Sequence, residues 1–401
     1  MATTKHLPSI TLASLGLVLS LGSSAQAFTF VEIANTNTSG FTSIDSIVYS
    51  INDSGSVAFS ANVGGQSGIF LGNGGAIDTL VDPSEGFVNF SFIDINSIDT
   101  AVFITGGNDA IFRTEGGVIS SVIDIPSSLG LLGFDAGGFP PFSELFINES
   151  GTIAFKVNGA GGEGGIFTAN GGVFTPIAEL PDFDTFRFSL NNNGEVGFFA
   201  ISPLAPDGDA LFIGDGTGMP TLLADPLGFG TVEGPSLNDA GTVVFDALFV
   251  DEMGNALQGI FKQSGGDPQL LVDTSTDFSS FDRQAINNSE TIVFDASLDA
   301  GFTAIFAGPD PVADRVIGVG DILFGSTIVS LSFTHQTGLN NQGQFAFTAT
   351  FDDGSVGIFR ADPDDSDPQP VPEPMSLLGL FLLGATGVVS RLRDSIRRRR
   401  C

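Results

Sequence analysis

One pattern governs what this chain can fold into. The motif Asn-x-x-Gly-x-x-small-Phe occurs seven times, starting at Asn52, Asn96, Asn148, Asn191, Asn238, Asn287 and Asn340. Successive starts are 44, 52, 43, 47, 49 and 53 residues apart. The fourth position holds Gly55, Gly151, Gly194, Gly241 and Gly343, with Asp99 and Glu290 in the second and sixth copies. The last position is always aromatic: Phe59, Phe103, Phe155, Phe198, Phe245, Phe294 and Phe347. Tandem periods of this length belong to stacked or radial repeat architectures.

The motif predicts a turn followed by a strand. An Asn side chain can hydrogen-bond the backbone two residues on and open a turn. Gly at the fourth position takes positive φ without a Cβ clash, as the left-handed residue of a hairpin loop requires. Asp99 tolerates that conformation better than most residues; Glu290 does not, and its turn is expected to be strained or different. The bursts Val57-Ala58-Phe59, Ile153-Ala154-Phe155 and Val243-Val244-Phe245 are apolar at consecutive positions. A half-exposed strand would alternate, so both faces are covered. The residue before each Phe is small or β-branched: Ala58, Val102, Ala154, Gly197, Val244, Val293 and Ala346. Close packing is expected there.

Three further strands complete each unit. One carries Gly68-Ile69-Phe70 and its equivalents as far as Gly357-Ile358-Phe359; one follows a turn, as at Leu80-Val81-Asp82; one leads into the next Asn, as at Phe90 to Ile95. Four strands per unit of this length is the arithmetic of a propeller blade. The expectation is therefore an all-β, seven-bladed β-propeller over residues 28–361. The seventh copy has no strand after Phe359, while Phe28 to Ala34 precede the first copy with no blade of their own. That N-terminal strand is expected to pair beside Ile358 and close the last blade, removing two sheet edges.

The ends carry addresses. Residues 1–27 combine Lys5, an apolar run from Ile10 to Leu21 and the closing Ala25-Gln26-Ala27. This is a secretory signal pattern, with cleavage expected after Ala27. Residues 362–374 form an acidic, Pro-rich linker ending in Pro372-Glu373-Pro374. Residues 375–401 hold an uncharged apolar run, Met375 to Ser390, and an Arg-rich tail. Sixteen residues of helix cover about 24 Å of a hydrocarbon layer about 30 Å thick, so a hydrophobic transmembrane helix is expected there. Its Arg cluster would stay cytoplasmic. A simple C-terminal anchor is the plainer reading of the same run.

Net charge is −32, yet six of the fourteen basic residues fall in the last eleven positions. Between Phe28 and Pro370, seven basic residues face 44 acidic ones. Such a surface repels nucleic-acid phosphates and anionic lipid heads. The only Cys is Cys401, so intrachain disulfides and Cys-based metal sites are excluded. Once the leader is removed, His335 is the only His; it lies in a strand-like run from Leu331 to Thr337 and is read as structural. There is no nucleophile elbow and no phosphate-binding Gly loop. No catalytic residue, metal ligand or cofactor is expected. Calcium is left open by the many Asp and Asn residues, although no EF-hand-type loop is present.

The C-terminal tail resembles the PEP-CTERM sorting signal of exported bacterial proteins, on the strength of Pro372, Glu373, Pro374, the apolar helix and the Arg run. The repeats resemble those of NxxGxxAF tandem-repeat surface proteins. The resemblance implies an exosortase-type processing enzyme as partner and a transient membrane anchor. The destination it implies is the cell envelope, cell surface or extracellular matrix. It supplies no reaction. The expected function is a noncatalytic scaffold, structural or adhesive, with extracellular polysaccharide as a candidate partner. The alternative is a polysaccharide-active enzyme using acidic residues at one propeller end.

Overall fold

The computed structural model describes residues 26–105, 110–124, 142–158, 164–179, 184–202, 205–224 and 229–364. The expected signal segment, the PEP motif and the expected C-terminal helix lie outside these residues, save Gln26 and Ala27 at the cleavage site. Among the described residues no helix is long and apolar enough to cross a membrane.

The chain forms seven antiparallel sheets and is an all-β, seven-bladed propeller. Blade 1 runs from its inner to its outer strand as Ser43–Ile51, Val57–Val63, Gln66–Gly72 and Asp78–Val81. Blades 2 to 6 repeat this order, with inner strands Phe92–Ile95, Phe142–Ile147, Asp184–Leu190, Phe229–Leu237 and Phe278–Ile286. Blade 7 takes Ser326–Phe333, Phe345–Phe351 and Val356–Pro363 from the chain's end and its outer strand, Phe28–Asn35, from its beginning. That outer strand pairs antiparallel with Val356–Pro363, Phe30 opposite Ala361 and Ala34 opposite Ile358. The expected closure is therefore formed. Phe28 and Phe30 lay their rings edge-on to Phe345 and Phe347, at 5.5 and 6.1 Å between centroids.

The motif Phe explains why these strands stack as blades. In every blade it lies directly opposite the Phe of the third strand, from Phe59 with Phe70 to Phe347 with Phe359. The seven ring pairs have centroids 5.5 to 6.1 Å apart and near-parallel to tilted planes. Such offset pairs add to the area term of burying two large rings. The preceding small residue points to the opposite face, because strand side chains alternate. Ala154 thus packs into the cluster of blade 4 that contains Phe198, and Ala346 into the cluster of blade 1 that contains Phe59. Each of the seven apolar clusters joins one blade to the next. Small-against-large complementarity between blades is the close packing that the sequence implied.

The motif turn is the same in all seven copies. The fourth-position residues have φ of 79° at Gly55, 77° at Gly151, 82° at Gly194, 78° at Gly241 and 76° at Gly343, with Asp99 at 59° and Glu290 at 62°. Each donates its N–H to the carbonyl of the motif Asn. Of the two expectations at Glu290, a strained turn or a different one, the structure shows the first: the turn is the same, and a non-Gly residue is held in the left-handed region there. His335 also departs from expectation. Its strand ends at Phe333, and His335 opens a short 3-10 turn over Gln336–Gly338.

Candidate functional site

The seven motif Asn residues meet around the central channel. Each is 2 to 5 % exposed. Within its own turn, each Oδ1 accepts the N–H groups two and four residues on, as from Ser150 and Thr152 at Asn148. The amide nitrogen faces outward from the turn. Asn52 donates Nδ2–H to the carbonyl of Asn96, Asn96 to Asn148, Asn148 to Asn191, Asn191 to Asn238, Asn238 to Asn287, Asn287 to Asn340 and Asn340 to Asn52, over 2.9 to 3.4 Å. The ring is continuous. It ties every blade to the next through a buried side-chain amide, and the last link crosses the seam of the chain.

A second ring lies one residue further on. The backbone N–H of residue 97, 149, 192, 239, 288 or 341 reaches the side-chain oxygen of the equivalent residue in the next blade. Glu149, Asp239 and Asp53 supply carboxylates to this ring, and Asn192, Asn288 and Asn341 supply amides. Asp239 also accepts from the Asn192 and Asn288 Nδ2 groups, and Asp53 from Asn341 Nδ2. The mouth carboxylates are therefore engaged in interblade bonds. Among the described residues, no group of three or more His, Cys, Asp or Glu side chains could hold a metal ion.

The residues of both rings line a cavity of about 100 Å³, which Gln336, Thr337 and Leu339 of blade 7 also border. In five other blades, the inner-strand residue opposite the motif Phe stands three positions before the Asn, as with Phe188 and Gln284. In blade 7 Phe333 stands seven before Asn340, and the extra residues turn into the channel. Gln336 crosses to blade 4 and pairs its amide with both backbone groups of Leu190, accepting from its N–H at 3.2 Å and donating to its carbonyl. The inner-strand edge at the buried Leu190 is satisfied in this way, since buried backbone groups need partners. His335 is wedged against blade 5: a Cβ on Gly234 would sit 2.6 Å from its Cε1 and 2.8 Å from its Nδ1. Gly234, at φ 57°, is thus required twice over, by conformation and by contact.

Titratable groups gather around this plug. Burial and the neighbouring guanidiniums of Arg187 and Arg283 push the His335 imidazole down to about 3, so it is neutral, and its Nδ1 has no hydrogen-bond partner. Burial raises Glu144 to about 7 against the opposing pull of Arg187, which it meets at 3.2 Å, and of Lys156. Burial and the nearby Asp282 raise Asp295 to about 7, although it accepts the Arg283 N–H. Asp94 is raised by burial to about 6 while bridging Ser50 and the Ile147 N–H. Burial drives the Tyr49 phenol well above its ordinary range, and its hydroxyl donates to the Ser332 carbonyl.

Sequence reasoning read Asn52, Asn148, Asn191, Asn238 and Asn340 as turn formers, with their glycines in the turns and their phenylalanines in the strands that follow; the ring that the amide nitrogens form between blades was not among its expectations. It missed Gln336, Glu144 and Asp295. The spacing of 53 before Asn340 was the one visible sign of the plug. Pro372, Glu373, Pro374 and Ala25 lie outside the described residues, and Ala27 accepts the Asp364 N–H just before the closing strand.

No family model and no curated protein matches the chain. Solved structures do match it. A prolyl endopeptidase is 12 % identical over 81 % of this chain and 51 % of its own, with a TM-score of 0.51. Virginiamycin B lyase of Staphylococcus aureus is 13 % identical over 83 % of this chain and 99 % of its own, with a TM-score of 0.44. YCF48 of Cyanidioschyzon merolae is 12 % identical over 84 % of this chain and 99 % of its own, with a TM-score of 0.44. The chain spans about half the length of the endopeptidase. The likeness is one of fold.

Proposed function

We propose that this chain is an exported, noncatalytic propeller scaffold, directed to the cell envelope or matrix by its PEP-CTERM-like tail and acting there as a structural or adhesive module. The observation that carries this reading is the use of the channel mouth. Its seven amides and three carboxylates are hydrogen-bonded between blades. A rigid, closed disc suits a scaffold. The tail would be recognised at Pro372, Glu373 and Pro374 by an exosortase-type enzyme, after transient anchoring by the apolar helix.

Replacing Pro372, Glu373 and Pro374 by Ala and fractionating the producing cells tests the sorting. The variant should stay unprocessed in the membrane while the parent reaches the surface or matrix. Equal size and location of the two proteins would overturn it. A polysaccharide-active enzyme is the second reading, favoured by the raised Glu144 and Asp295 carboxyls near the channel plug. Turnover on a glycan panel that Glu144→Gln abolishes would establish it in place of the scaffold.

A further inference from the structure

The internal repeat allows one blade joint to be compared with another. In blade 7 the residue after the third-strand Phe is Arg360, followed two positions later by Asp362. Asp362 holds the guanidinium through Nε at 2.5 Å and Nη2 at 2.9 Å. Arg360 Nη1 then crosses to blade 1 and donates to the Gly55 carbonyl and to Asn73 Oδ1. The joint is closed: a Cβ on Gly55 would meet Gln344 Oε1 at 2.7 Å and Arg360 Nη1 at 2.9 Å.

Blade 2 carries the same set at its joint with blade 3. Arg113 follows Phe112, Glu115 lies two positions on, and Gly151 and Asn170 are the counterparts of Gly55 and Asn73. Arg113 bonds Glu115 at 2.6 Å, as Arg360 bonds Asp362. There the likeness stops. Asn170 donates instead to Thr152 Oγ1 at 2.8 Å, and a Cβ on Gly151 would meet nothing within 4 Å. A groove of about 260 Å³ separates the two sides, lined also by Ser120, Ser121 and Phe174. Gly194 and Gly241 stand in open space too, but the residues at the Arg113 position of the preceding blades, Thr168 and Ile213, carry no charge.

We infer that the blade 2–blade 3 joint is a binding site for one neutral pyranose residue of a polysaccharide; this deepens the adhesive reading above and rests on it. The chemistry follows from the lining. Sugar hydroxyls are donors and acceptors at once. Arg113 offers guanidinium N–H groups, Asn170 Oδ1 accepts, and Ser120 and Ser121 do both. The half-buried Phe174 and Val122 give the C–H face of a ring an apolar wall. The groove is below the roughly 300 Å³ at which drug-sized sites begin, which suits a single ring of a longer glycan. Glu115 beside Arg113, on a strongly acidic body, disfavours an acidic sugar.

Titration of the mature body with cellohexaose, maltohexaose and xylohexaose, followed by amide NMR shifts, tests this. At least one should bind at millimolar concentration, with shifts centred on Gly151, Asn170 and Phe174. Arg113→Ala and Asn170→Ala should each weaken binding at least tenfold. Because Arg113 is 38 % exposed in its side chain, its removal should leave the melting temperature nearly unchanged. Absence of binding to all three, or binding unmoved by both substitutions, would overturn the site. The sorting experiment is independent of that result, so the envelope scaffold can stand where the sugar site falls.

Discussion

Asn340 donates its Nδ2–H to the carbonyl oxygen of Asn52 at 2.9 Å, joining the last motif of the chain to the first across 288 residues. The other six links are copies of this one. A side chain whose oxygen builds its own turn and whose nitrogen binds the neighbouring turn makes local and global structure inseparable.

Asn148→Ala removes three accepted bonds, two of them from backbone N–H groups, and one donated bond at a site 5 % exposed. Leaving buried backbone groups unpaired costs about 1–3 kcal/mol each. The variant should lose about 3 kcal/mol in denaturant unfolding. Asn148→Asp keeps the turn but sets a carboxylate against the Asn191 carbonyl. It should be at least as damaging at neutral pH and partly recover on acidification.

Glu290→Gly relieves a left-handed conformation at φ 62°. Such strain costs about 1–3 kcal/mol. The lost contact with Lys262, on a half-exposed carboxylate, is worth at most about 1 kcal/mol. A net gain of about 1 kcal/mol is expected in equilibrium unfolding; a loss would show that the ion pair outweighs the backbone.

The interblade faces should respond to side-chain size. A Cβ on Gly197 would meet Ser189 Oγ at 3.5 Å and Leu237 at 3.6 Å, ordinary contact distances. Gly197→Ala should therefore be neutral or stabilising by about 0.5–1 kcal/mol. Ala154→Leu pushes into the cluster of Phe188 and Phe198 and should cost about 1–3 kcal/mol. Thermal unfolding of the two variants separates the cases.

Stability should rise as pH falls from above 7 toward 5. Asp94, Glu144 and Asp295 have folded values of about 6, 7 and 7, above their unfolded ones. In this window the folded state binds more protons than the unfolded state, and that stabilises it. His335 acts oppositely: its folded value of about 3 lies below its ordinary 6.5, so its contribution is lost as pH falls from 6.5 toward 3. The three carboxyls outnumber it down to about pH 4. Asp295→Asn should flatten the denaturation midpoint above pH 5, and His335→Gln should lessen the decline at lower pH, where the carboxylates of Asp82, Asp215, Asp251, Asp310 and Asp353, held low by their hydrogen bonds, also lose their contribution.

The fold was legible because its rules are local and repeated. Asn, Gly and Phe at fixed offsets specify turn and strand, and unbroken apolar bursts require covering on both faces. Closure was legible as a missing strand at one end and a surplus strand at the other. What the repeat hid was half of each Asn: a turn former accounts for Oδ1, and nothing in one copy points Nδ2 at the next. At Glu290 local preference left open whether the turn would be strained or different, and only the repeated frame imposes the same turn on a non-Gly residue. Gln336 and Arg360 act between blades, where partners are brought together only by the closed ring.

The most direct measurement is a disulfide across the seam. Thr29 faces Asp362 in the register that closes blade 7. With Cys401→Ser removing the native thiol, Thr29→Cys and Asp362→Cys should link within a single chain on mild oxidation, and the oxidised chain should melt higher than the same variant reduced. Failure to crosslink, or crosslinking only between two chains, would contradict a ring closed by its own first strand.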